Sequence, residues 1–324
     1  MSKLIALRSG FNDAYFHAWR SNFSSLLKQQ ALLFDQIGIL KLNGMYETLG
    51  TVRQHPDFTK NPLEPLISEL KWLEENGIIF EATIQDKHDL QDAELLEADP
   101  QKLEEIKKLN KLLKKSLNNQ KEISSLQDKV DELDSIKKQH AIFLRMLSLV
   151  METTKKVTVV TTLPYTEYTR NLPNSKKSYV AQIVVNKLPL PDNETPWEQI
   201  IDYRNDSESQ KNLLTLRRWI RKISTDDPSS TEIEIEEELE WLMNEFQTHM
   251  KVHKMKENTA TIEVLAKALP GTIENLIKLN FSKIPEPFFA VKKRKLSLME
   301  AELNAPGKEI SYIIKAQDAF QSNE

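Results

Sequence analysis

The sequence predicts an α+β, predominantly α-helical protein with a small sheet and a long helical or coiled-coil arm. Three observations carry that expectation. Residues 101–152 contain neither glycine nor proline, so nothing in them breaks a helix. Short runs of aliphatic and β-branched residues recur at strand length. The whole chain of 324 residues has seven glycines, where average usage of about 7% would give about 23.

Composition then excludes several chemistries. Gly10, Gly38, Gly44, Gly50, Gly77, Gly271 and Gly307 never fall at a G-x-G-x-x-G or P-loop spacing, and no G-x-S-x-G is present. Dinucleotide turns, phosphate loops and nucleophile elbows are therefore missing. Without cysteine there are no disulfides, thiol nucleophiles or thiolate metal sites. The hydrophobic share of 40% and charged share of 28% suit a globular protein. Net charge is 44 minus 48, or −4, so any attraction for nucleic acid must come from a local patch. Leu4–Leu7 ends at Arg8, too short for a signal-peptide core. Ala141–Met151 contains Arg145 and falls well below the roughly 20 residues of a membrane span. A cytoplasmic protein without a membrane partner is expected.

Residues 1–98 predict an N-terminal α+β region. Leu4–Leu7 opens it as a strand. From Asp13, the apolar residues Phe16, Trp19, Phe23, Leu26, Leu27 and Ala31 recur at helical spacing. Leu32–Leu42 follows as a β-like run containing Gly38. Pro62 or Pro65 suits the first turn of a helix with Leu66, Leu70 and Leu73 on one face. Asn76-Gly77 ends it, because both residues accept the left-handed conformation, and Ile78–Ile84 is the next strand. The segment ELKWLEENGIIFE matches either an ordinary helix-to-strand connection or the recognition helix of a winged-helix DNA-binding domain. Glu69, Glu74 and Glu75 would repel phosphate in the second case.

Residues 99–156 predict a long helix or a helical hairpin, opened by Asp99 as N-cap and Pro100 at the first helical position. One apolar stripe runs through Leu103, Ile106, Leu109, Leu113 and Leu117. Another runs through Ile123, Leu126, Val130, Leu133, His140, Leu144, Leu147 and Met151. The two stripes do not share a heptad register, and Ser116–Gln120 between them is polar. Both a hairpin and one helix with a stutter satisfy this pattern. Ile123, Leu126, Val130 and Leu133 need a partner helix, either internal or from a protein partner or homo-oligomer.

Residues 157–324 predict a C-terminal α+β region with an antiparallel helical hairpin. Lys155–Thr162 and Tyr179–Asn186 are β-branched and predict two strands of one sheet. Thr195-Pro196-Trp197 opens a helix through Tyr203, and another spans Ser207–Ile223 with Leu213, Leu216, Ile220 and Ile223 on one face. After a turn at 226–230, Glu232–Lys256 predicts a helix with Ile235, Leu239, Leu242, Phe246, His249 and His253 in its stripe. The tail holds an apolar helical stretch at Ile273–Leu279 and a β-like Phe288–Val291. A last helix carries Ile310, Ile313, Ile314 and Phe320.

Several constellations bear on chemistry. His249 and His253, four residues apart, with Glu245 four before them, could share one divalent metal ion on a helix face. The glutamate of H-E-x-x-H is absent, and both histidines also continue an apolar stripe. No other cofactor is expected, and no catalytic residue is assigned. Arg217, Arg218, Arg221 and Lys222 surround Trp219, which suits phosphate and base contacts or pairing with the glutamates that open the next helix. Lys292, Lys293, Arg294 and Lys295 form the densest basic run, either a nucleic-acid contact or a charged edge that blocks aggregation. Lys107, Lys108, Lys111, Lys114 and Lys115 make a third basic surface. Asp35 and Glu81 would form an acidic pair if their strands are neighbours.

The segment LPLPDNETPWEQIIDYRND gathers Trp197, Tyr203, Arg204 and Asp206, and predicts a structural corner in which Arg204 pairs with Asp206 or Asp202. Together with LLFDQIGI and LKWLEENGIIFE, it resembles a pattern in uncharacterised bacterial proteins, an aspartate-bearing strand followed by a helix ending in glycine and then a strand. The resemblance implies a bacterial origin and no particular activity. The functional expectation is a non-catalytic interaction or regulatory module, an accessory factor of a bacterial multi-gene system such as defence against mobile elements. A nucleic-acid-binding protein using the basic patches is the alternative, and a metal-dependent hydrolase or nuclease the second.

Overall fold

The computed structural model describes residues 3–9, 23–40, 42–44, 46–47, 64–82, 100–117, 126–155, 157–162, 176–226, 230–267, 298 and 300–320. Among them, the apolar runs near the start supply β1 (Leu4–Ser9), α1 (Phe23–Leu33) and β2 (Gln36–Leu40), then α2 (Glu64–Glu75) and β3 (Ile79–Ala82). The glycine-free stretch forms two helices, α3 (Pro100–Leu117) and α4 (Leu126–Lys155), and β4 (Thr158–Thr161) follows. The remainder is helical: α5 (Lys176–Lys187), α6 (Trp197–Asn205), α7 (Ser207–Asp226), α8 (Glu232–Lys267), a single 3-10 turn at Lys308–Ile310 and α9 (Ser311–Phe320). The protein is thus predominantly α-helical with one small sheet.

That sheet has four strands in the order β3-β2-β1-β4, all parallel. Parallel neighbours need long crossovers, which the helices supply. The chain winds outward from β1 to β2 and β3 and returns to the other side of β1 as β4, the doubly wound order. Tyr179–Asn186 is not a strand. It lies within α5, where Val180, Ala181, Val184 and Val185 are buried at helical spacing. Its β-branched composition matched a strand, but burial on a helical period overrides that preference.

The register assigns each side chain to a face. Ile5, Leu7, Leu40, Ala82 and Val159 share one core with Ile106 and Leu109 of α3 and Ala141–Met151 of α4. Gly38 pairs with Leu7 and Phe80 on that face. A Cβ there would lie 2.6 Å from Leu7 Cδ2 and 2.7 Å from Phe80 Cζ, so the glycine lets two large side chains meet over β2. The opposite face carries Ala6, Arg8, Ile37, Ile39 and Val160 and is covered by α1 and α5.

Local chemistry closes the helices. At the end of α2, Gly77 has φ 67°, its N–H donates to Glu74 O and the Ile78 N–H donates to Leu73 O, a Schellman pair. Asp206 Oδ2 accepts from the N–H groups of Glu208 and Ser209 and caps α7. Thr231 and Glu234 form a reciprocal capping box at the start of α8.

The chain divides into two compact units, one of Met1–Gln210, Ile220–Ser229 and Ala316–Glu324, the other of Lys211–Trp219 and Ser230–Lys315. The first holds the sheet. In the second, Leu213, Leu216, Ile235, Leu239, Leu242, Phe246 and Tyr312 are buried. Gly307 there has φ 69°, and a Cβ on it would fall on the Leu242 carbonyl.

Candidate functional site

In open parallel sheets the natural ligand crevice lies outside the carboxyl ends of the strands where the winding reverses, here between β1 and β4. Arg8, near the end of β1, is only 4% exposed. Its Nη1 donates to Gln30 Oε1 of α1 at 3.3 Å, and its guanidinium lies 5.0 Å from the centre of the Phe23 ring. Gln30 Nε2 donates in turn to Thr162 Oγ1 at 3.2 Å, and the Thr162 N–H donates to Leu7 O at 2.8 Å. Beside them Ser178 of α5 hydrogen bonds to the Thr161 hydroxyl and accepts from its N–H. A buried cation needs such partners. Sequence reasoning used Arg8 only as the end of an apolar run; the one available signal was a charge inside a strand.

A second polar cluster joins α1, α2 and α6. Lys28 is 2% exposed and donates to the carbonyls of Asp192 at 3.2 Å and Asn193 at 2.8 Å. Burial lowers its pKa, and Glu69, Asp192 and Glu194 oppose that shift. Glu69 accepts from Ser24 Oγ and from Trp197 Nε1, and Ser25 Oγ donates to Asn193 Oδ1. Trp197, at the start of α6, is thereby hydrogen bonded to α2.

The Arg204 partner seen at this corner comes from a distant part of the chain. Its Nη2 lies 3.1 Å from Asp35 Oδ1, while Asp35 Oδ2 accepts the Leu4 N–H at 2.8 Å. Asp206, expected with Asp202 as an alternative partner, caps α7, and those backbone hydrogen bonds lower its pKa. Tyr203 packs edge-on against Phe320 at 5.2 Å, and burial pushes its phenol well above the usual range. Asp35 and Glu81 do not form an acidic pair. Asp35 precedes β2, whereas Glu81 aligns with Ile39, about 13 Å further along at roughly 3.3 Å per residue.

The hairpin of α3 and α4 carries the third cluster. Arg145 Nε donates to Glu105 Oε1 at 2.8 Å, its Nη1 to Ser148 Oγ, and both charged side chains are buried among the apolar residues. On the outer side of α3, Lys107, Lys108, Lys111, Lys114 and Lys115 are all exposed. Ile123 lies outside the described residues, and Leu126, Val130 and Leu133 lie on the first two turns of α4 and the one after.

In the second unit His249 and His253 have ring centroids 4.5 Å apart, and His249 Nε2 lies 3.1 Å from Ala301 O. Among the described residues no group of three His, Cys, Asp or Glu side chains could hold a metal ion. Trp219 is 6% exposed, so its ring is not offered to a base. Arg218, Arg221 and Lys222 are exposed and Arg217 half-buried. Lys292, Lys293, Arg294 and Lys295 lie outside the described residues, as do Ile273–Leu279 and Phe288–Val291. No described helix is long and apolar enough to cross a membrane. No family model, curated protein or solved structure matches the chain.

Proposed function

We propose that the protein is a non-catalytic interaction module of the bacterial cytoplasm, an accessory factor of a multi-gene system such as one directed against mobile elements, and that α4 is the element it presents. One observation carries the reading. Helix α4 has 30 residues, about 45 Å at 1.5 Å per residue, whereas the strands beneath it have four to six residues, about 20 Å at most. The sheet cannot cover such a helix along its length. Ala141–Met151 is the part buried in the sheet core, and Leu126, Val130 and Leu133 repeat at four and three residues in the part before it.

The test is sedimentation of the purified chain over a wide concentration range, together with co-purification from the native host, for wild type and for Leu126→Asp with Leu133→Asp. Self-association or a retained partner that the double variant loses, at an unchanged melting temperature, is the expected result. A wild type that is monomeric at every concentration and retains the same proteins as the variant removes the proposal.

A further inference from the structure

The outer face of α3 carries a row of exposed lysines along the helix. Successive residues turn by 100°, so Lys107, Lys108, Lys111, Lys114 and Lys115 fall within an arc of about 120°. Glu105, Ile106 and Leu109 occupy the opposite arc, and all three are buried. The hairpin packing therefore decides which way the lysines face. Glu104 lies 3.8 Å from Lys108 on this face. From Ile106 to Lys121 the sequence contains no Asp or Glu.

We infer that this face binds the phosphodiester backbone of a nucleic-acid duplex. Lysines 107 to 115 span about 12 Å of helix axis at 1.5 Å per residue. A duplex carries one charge per about 1.7 Å, so about seven phosphates run alongside that length. The composition of the face favours a polyanion over a folded protein. Protein interfaces deplete lysine at their centre and enrich aromatic residues and arginine, and this face has five lysines and none of those types. Lysine is a point charge on a flexible stem without arginine's planar fork, so it neutralises phosphates and reads no base. The inference shares the hairpin with the function proposed above but uses a different helix and face.

The experiment measures binding of a fluorescent 20-base-pair duplex of mixed sequence, as DNA and as RNA, from 50 to 200 mM salt. Five phosphate contacts give a log–log slope of about −4.5, or about 500-fold weaker binding across that range. Replacing Lys107, Lys111 and Lys114 by glutamine takes the net charge from −4 to −7 and leaves two contacts, a slope of about −1.8 and a loss of about 12-fold. A control chain with Lys211→Gln, Lys222→Gln and Lys251→Gln loses the same total charge from other exposed positions and is expected to bind as wild type. Circular dichroism of both variants checks folding, and glutamine preserves helix propensity. Absence of binding at 50 mM salt overturns the inference, and so does equal weakening in the control. Displacement of the duplex by polyglutamate at matched charge concentration also overturns it, because the face would then suit an acidic protein. The DNA and RNA arms show which duplex is preferred, and binding of either one supports the inference.

Discussion

Both faces of the four-stranded sheet bury apolar side chains, and they differ in the polar groups buried with them. On one, the hairpin of α3 and α4 lays Ile106, Leu109 and Ala141–Met151 over Ile5, Leu7 and Val159, with the Arg145–Glu105 pair and Ser148 buried among them. On the other, α1 meets the sheet and its neighbours through Arg8, Gln30, Lys28 and Ser25, whose polar atoms reach Thr162, Asp192 and Asn193. Apolar burial is non-directional and tolerates exchange of shape-matched residues. Hydrogen-bonded clusters are directional and tolerate the loss of a partner poorly. The hairpin face should accept substitution in matched sets, and the α1 face should resist it one residue at a time.

The largest effect is expected at the buried Arg145–Glu105 pair of the hairpin face. Arg145→Ala strands the Glu105 carboxylate in the core and should cost about 3–5 kcal/mol in chemical denaturation. Glu105→Leu combined with Arg145→Met should restore stability to about the wild-type value. A near-neutral Arg145→Ala would show that the pair does not hold this face. On the α1 face, Lys28→Met leaves the Asp192 and Asn193 carbonyls without their donor and should cost about 1–3 kcal/mol, with no apolar partner exchange that recovers it.

Lys28 also supplies a pH signature. Its folded pKa lies below the ordinary 10.5, so between the two values the unfolded chain binds the extra proton and stability rises with pH. Melting curves across that window should show the rise in wild type and not in Lys28→Met. The smallest effect concerns Tyr203, whose folded pKa lies above the ordinary 10.0. Its contribution is complete below pH 10.0 and is lost as pH climbs toward the folded value, because the unfolded phenol ionises first. Tyr203→Phe should flatten the alkaline fall in melting temperature. An unchanged slope would place that fall elsewhere, for example at Tyr46, which burial and Glu74 also shift upward.

Periodicity and end signals were legible wherever a short window contains the whole cause. Asn76-Gly77 closes α2, Pro196-Trp197 opens α6, and the unequal stripes on either side of Ser116–Gln120 belong to separate helices. The residues of the corner, Trp197, Tyr203, Arg204 and Asp206, stood out for the same reason. Their partners did not. Glu69 and Asp35 lie 128 and 169 residues away from the groups they accept, and no local pattern encodes such a distance. Tyr179–Asn186 shows the opposite failure, where a local β preference yielded to burial on a helical period.

By itself the sequence determined the helix-rich class, the small sheet, the absence of glycine-loop and cysteine chemistry, and a run of lysines on α3 without acids among them. Those properties depend on residue type and short spacing. Only the tertiary structure decided that the strands are parallel in the order β3-β2-β1-β4, that Arg8 and Lys28 are interior cations, and that the α3 lysines face outward while Glu105 turns in to Arg145. Each depends on which elements meet in space, and burial of apolar surface is satisfied by the assembled core rather than by any segment alone.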